Sequence, residues 1–264
     1  MRYVGDFHIH SHYSRATSKD MNIEELDKWA RIKGIDVLGS GDFTHPKWFL
    51  ELREKLEEAE EGLYRLKGGS SPLEGEARRG LGTTDPPSPP LLKGGISPTR
   101  FILTVEVSSI YSYKGQVRRI HNIIFAPSFE AAAKINSALS KVGNLRADGR
   151  PILGLPAPEL LKIALDASED CLLVPAHAWT PWFSIFGSKS GFDSIEECFG
   201  DLSKYIYAIE TGLSSDPTMN WRLSALDTIT LISNSDCHST RRIGREANVF
   251  SGEELNYKNI IDAI

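Results

Sequence analysis

Cysteine is scarce in this chain. Cys171, Cys198 and Cys237 are the full complement, and no two form a Cys-x-x-Cys pair. Their odd number and spacing argue against a self-contained disulfide framework or a four-cysteine zinc site. Long apolar runs are missing as well. No stretch approaches the roughly 20 residues that cross a bilayer. The N-terminus, with Asp6 and three early histidines, does not read as a signal peptide. A cytoplasmic protein with no membrane partner is expected. Nor is positive charge in excess: 30 Lys and Arg against 35 Asp and Glu leave a net charge of −5. That balance argues against polyanion binding by the whole surface, but leaves room for a local basic patch. What remains, 264 residues with 41% hydrophobic content, can bury one sizeable core.

Histidine carries the signal. The apolar run Val4-Gly5-Asp6-Phe7 ends in His8-Ile9-His10. If this is a strand, both imidazoles project from one face and preset half of a metal shell. Asn22 then caps a predicted helix from Ile23 to Lys33, which Gly34 stops. A strand at 35–39 runs into Asp42 and His45, and Pro46 opens a charged helix expected to reach about Lys67. Further apolar segments lead to Glu106, His121, His177 and Glu210, and the run 229–232 leads to Asp236-Cys237-His238. A helical pattern from Glu253 to Ile264 closes the sequence. Seven strands mostly alternating with helices imply an α/β protein with a parallel sheet, and ligands drawn from every part of the chain favour a closed ring. The expected fold is a distorted, TIM-like (β/α)7 barrel, its active site at the strand ends. Between Gly68 and Pro98, Gly and Pro fill 13 of 31 positions and apolar periodicity vanishes, which marks a flexible inserted loop.

Six of the seven histidines fall beside predicted strands: His8, His10, His45, His121, His177 and His238. With Glu106 and Asp236 they make eight candidate metal ligands. Asp42 stands either as a ninth or as a partner that orients a histidine. His12 and Cys237 lie among them without being expected to ligate. Imidazole and carboxylate donors suit Zn²⁺, Mn²⁺ or Fe²⁺ at a catalytic site, and eight exceed the need of one ion. Two or three divalent ions are expected, with Zn²⁺, Mn²⁺ and Mg²⁺ the candidates. Closely spaced metals are the usual apparatus for hydrolysing phosphate esters.

These residues, in this order, resemble the polymerase-and-histidinol-phosphatase (PHP) superfamily. The segments running from His8 to Ser18, from Gly41 to Trp48, from Pro175 to Trp182 and from Glu210 to Pro217 are similar to the endonuclease Q family. The resemblance spans the chain outside 68–98. It implies a metal-dependent DNA endonuclease of DNA repair, cutting 5′ of deaminated bases such as uracil or hypoxanthine, or of abasic sites. It also implies His8, His10, Glu106 and Asp236 around one ion, Glu106, His121 and His177 around a second, and His45 with His238 at a third. Asp236, Glu106 and His177 are the expected catalytic residues. Family members carry a C-terminal zinc module with no counterpart here, so residues 1–264 are expected to be the PHP domain alone, with that module or a partner chain as the missing component.

A DNA substrate needs phosphate and base contacts. Arg15, Lys47, Lys189, Arg241 and Arg245 are the basic candidates and Trp179 and Trp182 the stacking ones. Two rival readings stand beside the nuclease: a small-molecule phosphatase of the same superfamily, and a truncated, inactive metal-binding barrel.

Overall fold

The computed structural model describes residues 2–68 and 98–264. The inserted loop expected over 68–98 therefore falls, but for its two end residues, outside the described residues. The chain opens with β1 (Arg2–Asp6), α1 (Ile23–Lys33), β2 (Val37–Gly39), α2 (Pro46–Lys55), β3 (Leu56–Glu60) and β4 (Leu63–Leu66). It continues with β5 (Arg100–Tyr113), β6 (Gln116–Ala126), α3 (Phe129–Leu139), β7 (Ile152–Leu153), α4 (Ala157–Ala167) and β8 (Leu172–Pro175). It ends with α5 (Ile195–Phe199), β9 (Ala208–Glu210), α6 (Pro217–Asn220), β10 (Thr230–Ile232), β11 (Asn248–Ser251) and α7 (Tyr257–Asp262).

Local chemistry sets several boundaries where the sequence puts them. The Asn22 side chain accepts the Glu25 N–H at 3.0 Å, and Gly34 takes the left-handed conformation (φ 71°) that stops α1. The helix expected from Pro46 to Lys67 stops short, at Lys55. Its second half is a hairpin in which Leu56 pairs with Leu66 and Tyr64 pairs onward with Phe101 of β5. The glutamates at 57, 58 and 60 mimic a helix by propensity, but burying Leu56, Leu63 and Tyr64 against β5 overrides it. The last helix is likewise shorter than expected. β11 precedes it, antiparallel to β1, and Asn256 caps α7.

The fold is α/β, but among the described residues the strands do not close into the expected seven-stranded ring. Nine strands make one sheet in the order β11-β1-β2-β5-β4-β3, with β6 and β7 also on β5 and β8 beyond β6; β9 and β10 pair separately. β1, β2 and β5 run parallel, as crossover helices require, whereas β5–β6 and β6–β8 are antiparallel. The turn Lys114-Gly115, with φ of 48° and 78°, lets β5 reverse directly into β6 without a crossover. β8 packs beside β9 without a ladder, joined by one backbone bond from the Ala178 N–H to the Glu210 C=O at 2.8 Å. Side chains still converge: Phe7, Val37, Ile102, Ile123, Val174, Ala208 and Ile232 share one buried cluster with Tyr257, Ile260 and Ile264. The helices α1, α3 and α4 pack Leu26, Ile135 and Leu160 into a second cluster with Leu38, Val105 and Ile124. Each such fully buried side chain contributes about 1.5–3 kcal/mol. Among the described residues no helix is long and apolar enough to cross a membrane.

Candidate metal centre

His8 and His10 lie just past the end of β1, not within it. What gives them strand-like alternation is an isolated parallel bridge between Ile9 and Cys237, with the His10 N–H on the Cys237 carbonyl at 3.2 Å. Ile9 and Cys237 are both buried in the core, as expected of Cys237. Their flanking residues are thereby registered side by side. His10 Nε2 lies 3.3 Å from Asp236 Oδ1, and the rings of His10 and His238 are 4.6 Å apart.

Glu106 is the centre. Its Oε1 lies 2.6 Å from His121 Nδ1 and 3.1 Å from His177 Nε2, and its Oε2 lies 3.2 Å from His10 Nε2 and 3.5 Å from His8 Nε2. Three overlapping groups result: His8, His10 and Glu106; His10, Asp236 and His238; Glu106, His121 and His177. In each, the donor atoms lie within 4.8 Å of one another. His121 and Glu106 are not at strand ends, as the sequence suggests, but in the middle of β6 and β5. Ser108 pairs with His121 and Glu106 with Ile123, so the antiparallel register puts glutamate and imidazole on one face.

A ring of acceptors fixes the imidazoles. Glu210, fully buried, faces His8 Nδ1 at 3.0 Å and accepts the His177 N–H at 2.8 Å and the Asn234 amide at 2.9 Å. Asp42 faces His10 Nδ1 at 3.1 Å and accepts from the Ser11 N–H at 2.7 Å and from the Ser11 and Ser14 hydroxyls. Carboxylates at both Nδ1 atoms hold a proton there and make Nε2 the nitrogen that each ring turns to Glu106. Asp42 thus sits behind a histidine, outside the three groups. Glu210 and Arg150 (Nη1 3.1 Å from Glu106 Oε2) are site residues that sequence reading passes over. Glu210 ends an apolar run just as the candidate ligand His177 does, and that signal marks it.

The backbone is strained at the same places. Asp42, His177 and Asp236 hold φ of 49°, 31° and 44°, a region that costs a side-chain-bearing residue about 1–3 kcal/mol. At Gly212, also at positive φ, a Cβ would lie 2.5 Å from that of His177, so only glycine lets the two loops touch.

Three buried polar atoms in this nest lack any hydrogen-bond partner: His8 Nε2, His10 Nε2 and Asp236 Oδ1. Orphaned lone pairs at van der Waals range are costly unless a cation takes them, so the donors fit a divalent ion. The proton equilibria reflect the same crowding. Burial opposes charge on His8 and His10. Glu210, Glu106 and Asp236 nevertheless hold the pKa of His8 well above its ordinary value, and Asp42 chiefly does so for His10. Glu106 is buried too, yet His121, His8 and Arg150 hold its carboxyl well below the usual range. For His121 burial wins, and its pKa falls to about 4.

The remaining predicted residues are dispersed. His45 belongs to none of the three groups; it is buried, its ring stacked on Tyr13 at 4.2 Å. Trp179 donates to Asn220 at 2.7 Å and packs on Phe186, and Arg245 donates to the Ser235 and Asp236 carbonyls, so both brace loops. Arg15, Lys47, Lys189 and Arg241 are exposed. Trp182, 47% exposed, lies under the Arg119 guanidinium and lines a cleft of about 490 Å³ with Arg118, Lys189 and Ser190.

No family model matches the sequence. The chain is similar over its full length to the lesion-specific endonuclease PfuEndoQ of Pyrococcus furiosus, with 30% identity, a TM-score of 0.79 and 56% of that chain covered. It matches equally a structure of endonuclease Q in complex with a 27-mer duplex substrate carrying an abasic lesion at the active site. YqxK, an uncharacterised protein of Bacillus subtilis, is 31% identical over 221 residues, 82% of this chain and 48% of YqxK. A structure described as a metal-dependent phosphoesterase of Bifidobacterium adolescentis shares the fold at 13% identity (TM-score 0.51). The chain spans about half the length of PfuEndoQ and YqxK. By sequence and by fold, the chain belongs to the endonuclease Q/PHP family.

Proposed function

We propose that this chain is a metal-dependent hydrolase of phosphate esters that nicks DNA on the 5′ side of deaminated or abasic nucleotides, as a cytoplasmic enzyme of DNA repair. The observation that carries the reading is the nest of imidazoles around Glu106 with its unpartnered nitrogens, in a chain similar from end to end to a lesion-specific endonuclease. His8, His10, Glu106 and Asp236 would hold one ion; Glu106, His121 and His177 would hold another. A third would rest on His238 beside Asp236, without His45. Zn²⁺, Mn²⁺ or Mg²⁺ bound there supplies positive charge against the phosphate oxygens.

The chain's own residues do the rest. Glu210 and Asp42 hold a proton on each Nδ1, so Nε2 is the nitrogen that His8 and His10 aim inward and would offer to an ion. The Asp236 side chain is 31% exposed while its Oδ1 is buried against His8 and His10, so its other oxygen faces the open side, where it can accept a hydrogen bond from the attacking water. Hydrolysis leaves a 3′-hydroxyl and a 5′-phosphate. Arg15, Lys47 and Arg241 offer exposed charge for DNA phosphates, and Trp182 beside Arg119 and Lys189 offers a stacking face for a base. That residues 1–264 form one phosphoesterase domain belongs to the same proposal.

The test is an end-labelled duplex with a single uracil, hypoxanthine or abasic site, incubated with Mg²⁺, Mn²⁺ or Zn²⁺. A nick 5′ of the lesion, lost in Asp236→Ala, is the expected result. Intact duplex with rapid cleavage of a phosphomonoester would favour the phosphatase, and a nick that survives in Asp236→Ala would remove the site from this reaction.

A further inference from the structure

Arg150 is the strongest charge in the nest that the proposed chemistry leaves unused. Its Nη1 lies 3.1 Å from Glu106 Oε2, the same oxygen that faces His8 and His10. The side chain is 27% exposed, so the guanidinium reaches both Glu106 and the open side of the nest. The loop that carries it is clamped. Asp148 accepts the backbone N–H of both Arg15 and Arg150, at 3.1 and 3.2 Å, and the Gly149 N–H donates to the Tyr13 carbonyl at 3.0 Å. A Cβ on Gly149 would lie 2.3 Å from Asp42 Oδ2 and 2.4 Å from Ser14 Oγ, so the loop is pressed onto the residues that hold His10. Such rigid support is what a positioned guanidinium needs, because little side-chain freedom is left to lose on binding.

One carboxylate oxygen cannot fully serve a guanidinium and a divalent cation together, since the two cations repel at this range. We infer that Arg150 is an internal counter-cation that occupies Glu106 while the metal groups are empty, and that turns to an oxygen of the substrate's phosphate once they fill. The inference rests on the proposed metal reading. It gives the site an anion subsite for a tetrahedral phosphate, recognised by the planar fork of arginine. It also explains how a buried nest rich in carboxylate stays neutralised before ions arrive. The carboxylates of Asp236 and Asp148 lie close enough to act on Arg150 as well, which keeps its charge within the mouth of the site.

Arg150→Gln and Arg150→Lys, each checked for native melting and circular dichroism, test it by two measurements. The first is a calorimetric titration of the metal-free chain with Mn²⁺. Removing the competing charge should tighten uptake in Arg150→Gln by about tenfold or more, with Arg150→Lys near wild type. The second is inhibition of the Mn²⁺-loaded protein by inorganic phosphate, which should weaken at least tenfold in Arg150→Gln and partly recover in Arg150→Lys. Uptake that is unchanged or weaker in Arg150→Gln makes Arg150 a structural prop and overturns the inference. Phosphate inhibition that is unaffected overturns the anion subsite. A wild-type chain that takes up no Mn²⁺ ends the metal reading itself, and this inference with it; wild-type uptake with either failure above sinks the inference alone.

Discussion

Glu210→Gln should cripple metal uptake while leaving the fold in place. Glu210 now serves four donor contacts with its two oxygens: His8 Nδ1 at 3.0 and 3.1 Å, the His177 N–H at 2.8 Å and the Asn234 amide at 2.9 Å. A glutamine of the same shape has one acceptor oxygen and an NH₂ group. If the oxygen takes the place of Oε2 it keeps the His177 N–H, and the NH₂ in the place of Oε1 meets the Asn234 amide and His8 Nδ1. His8 must then accept there, which moves its proton to Nε2, the atom that lies 3.5 Å from Glu106. If the amide flips, a backbone donor is left facing a donor, at a cost of about 1–3 kcal/mol. Losing such an orienting carboxylate typically lowers metal affinity 10–100-fold, which corresponds to about 1.4–2.7 kcal/mol. Calorimetric titration with Zn²⁺ or Mn²⁺, beside thermal melting of the metal-free chain, separates the two effects. Native-like melting with undiminished metal affinity would refute the argument that Glu210 sets the tautomer.

Metal uptake should release protons. His8 and His10 have raised pKa values in the metal-free fold, so their charged forms contribute stability below about pH 6.5 that is lost as pH rises through the raised folded values. Ligation needs both neutral, so apparent affinity should climb with pH across the neutral range; calorimetry in buffers of different ionisation enthalpy reads the proton count, and a count of zero contradicts the assignment. A chelator should lower the melting temperature of metal-loaded protein and leave metal-free protein alone. Saturation at 100 times the dissociation constant is worth about 2.7 kcal/mol. Gly149→Ala should destabilise the fold by about 1–3 kcal/mol, because its Cβ would sit 2.3 Å from a fully buried carboxylate oxygen. Chemical denaturation measures it, and wild-type stability would show that the loop can retreat from Asp42.

Much of the site is legible in the sequence alone, because it is built from short segments that each carry their own mark. Histidines are few, and an apolar run ending in one, as at Val174-Pro175-Ala176-His177, is visible in a line of text. α1 is legible for the same reason, since Asn22 and Gly34 state its limits locally. The hairpin of β3 and β4 is not. Its glutamates satisfy a helix as well as a strand, and the deciding contact, Tyr64 with Phe101, joins residues far apart in sequence. Arg150 is hidden likewise, in a loop without periodicity whose position is set by Asp148 and Gly149 pressing on distant residues. His45 stands apart from the three groups, its ring stacked on Tyr13 and its Nδ1 buried without a hydrogen-bond partner.

The bridge between Ile9 and Cys237 has a consequence for biosynthesis. The two candidate ligand pairs it aligns lie far apart in the sequence, so one emerges from the ribosome well before the other. The group made by His10, Asp236 and His238 cannot exist on a nascent chain until residue 238 is clear of the exit tunnel, and contacts of such long sequence separation form late. Until then His10 lacks its partners Asp236 and His238. Stable loading of that group is therefore expected only after synthesis has passed residue 238, later than the groups around Glu106, whose residues all lie before residue 178.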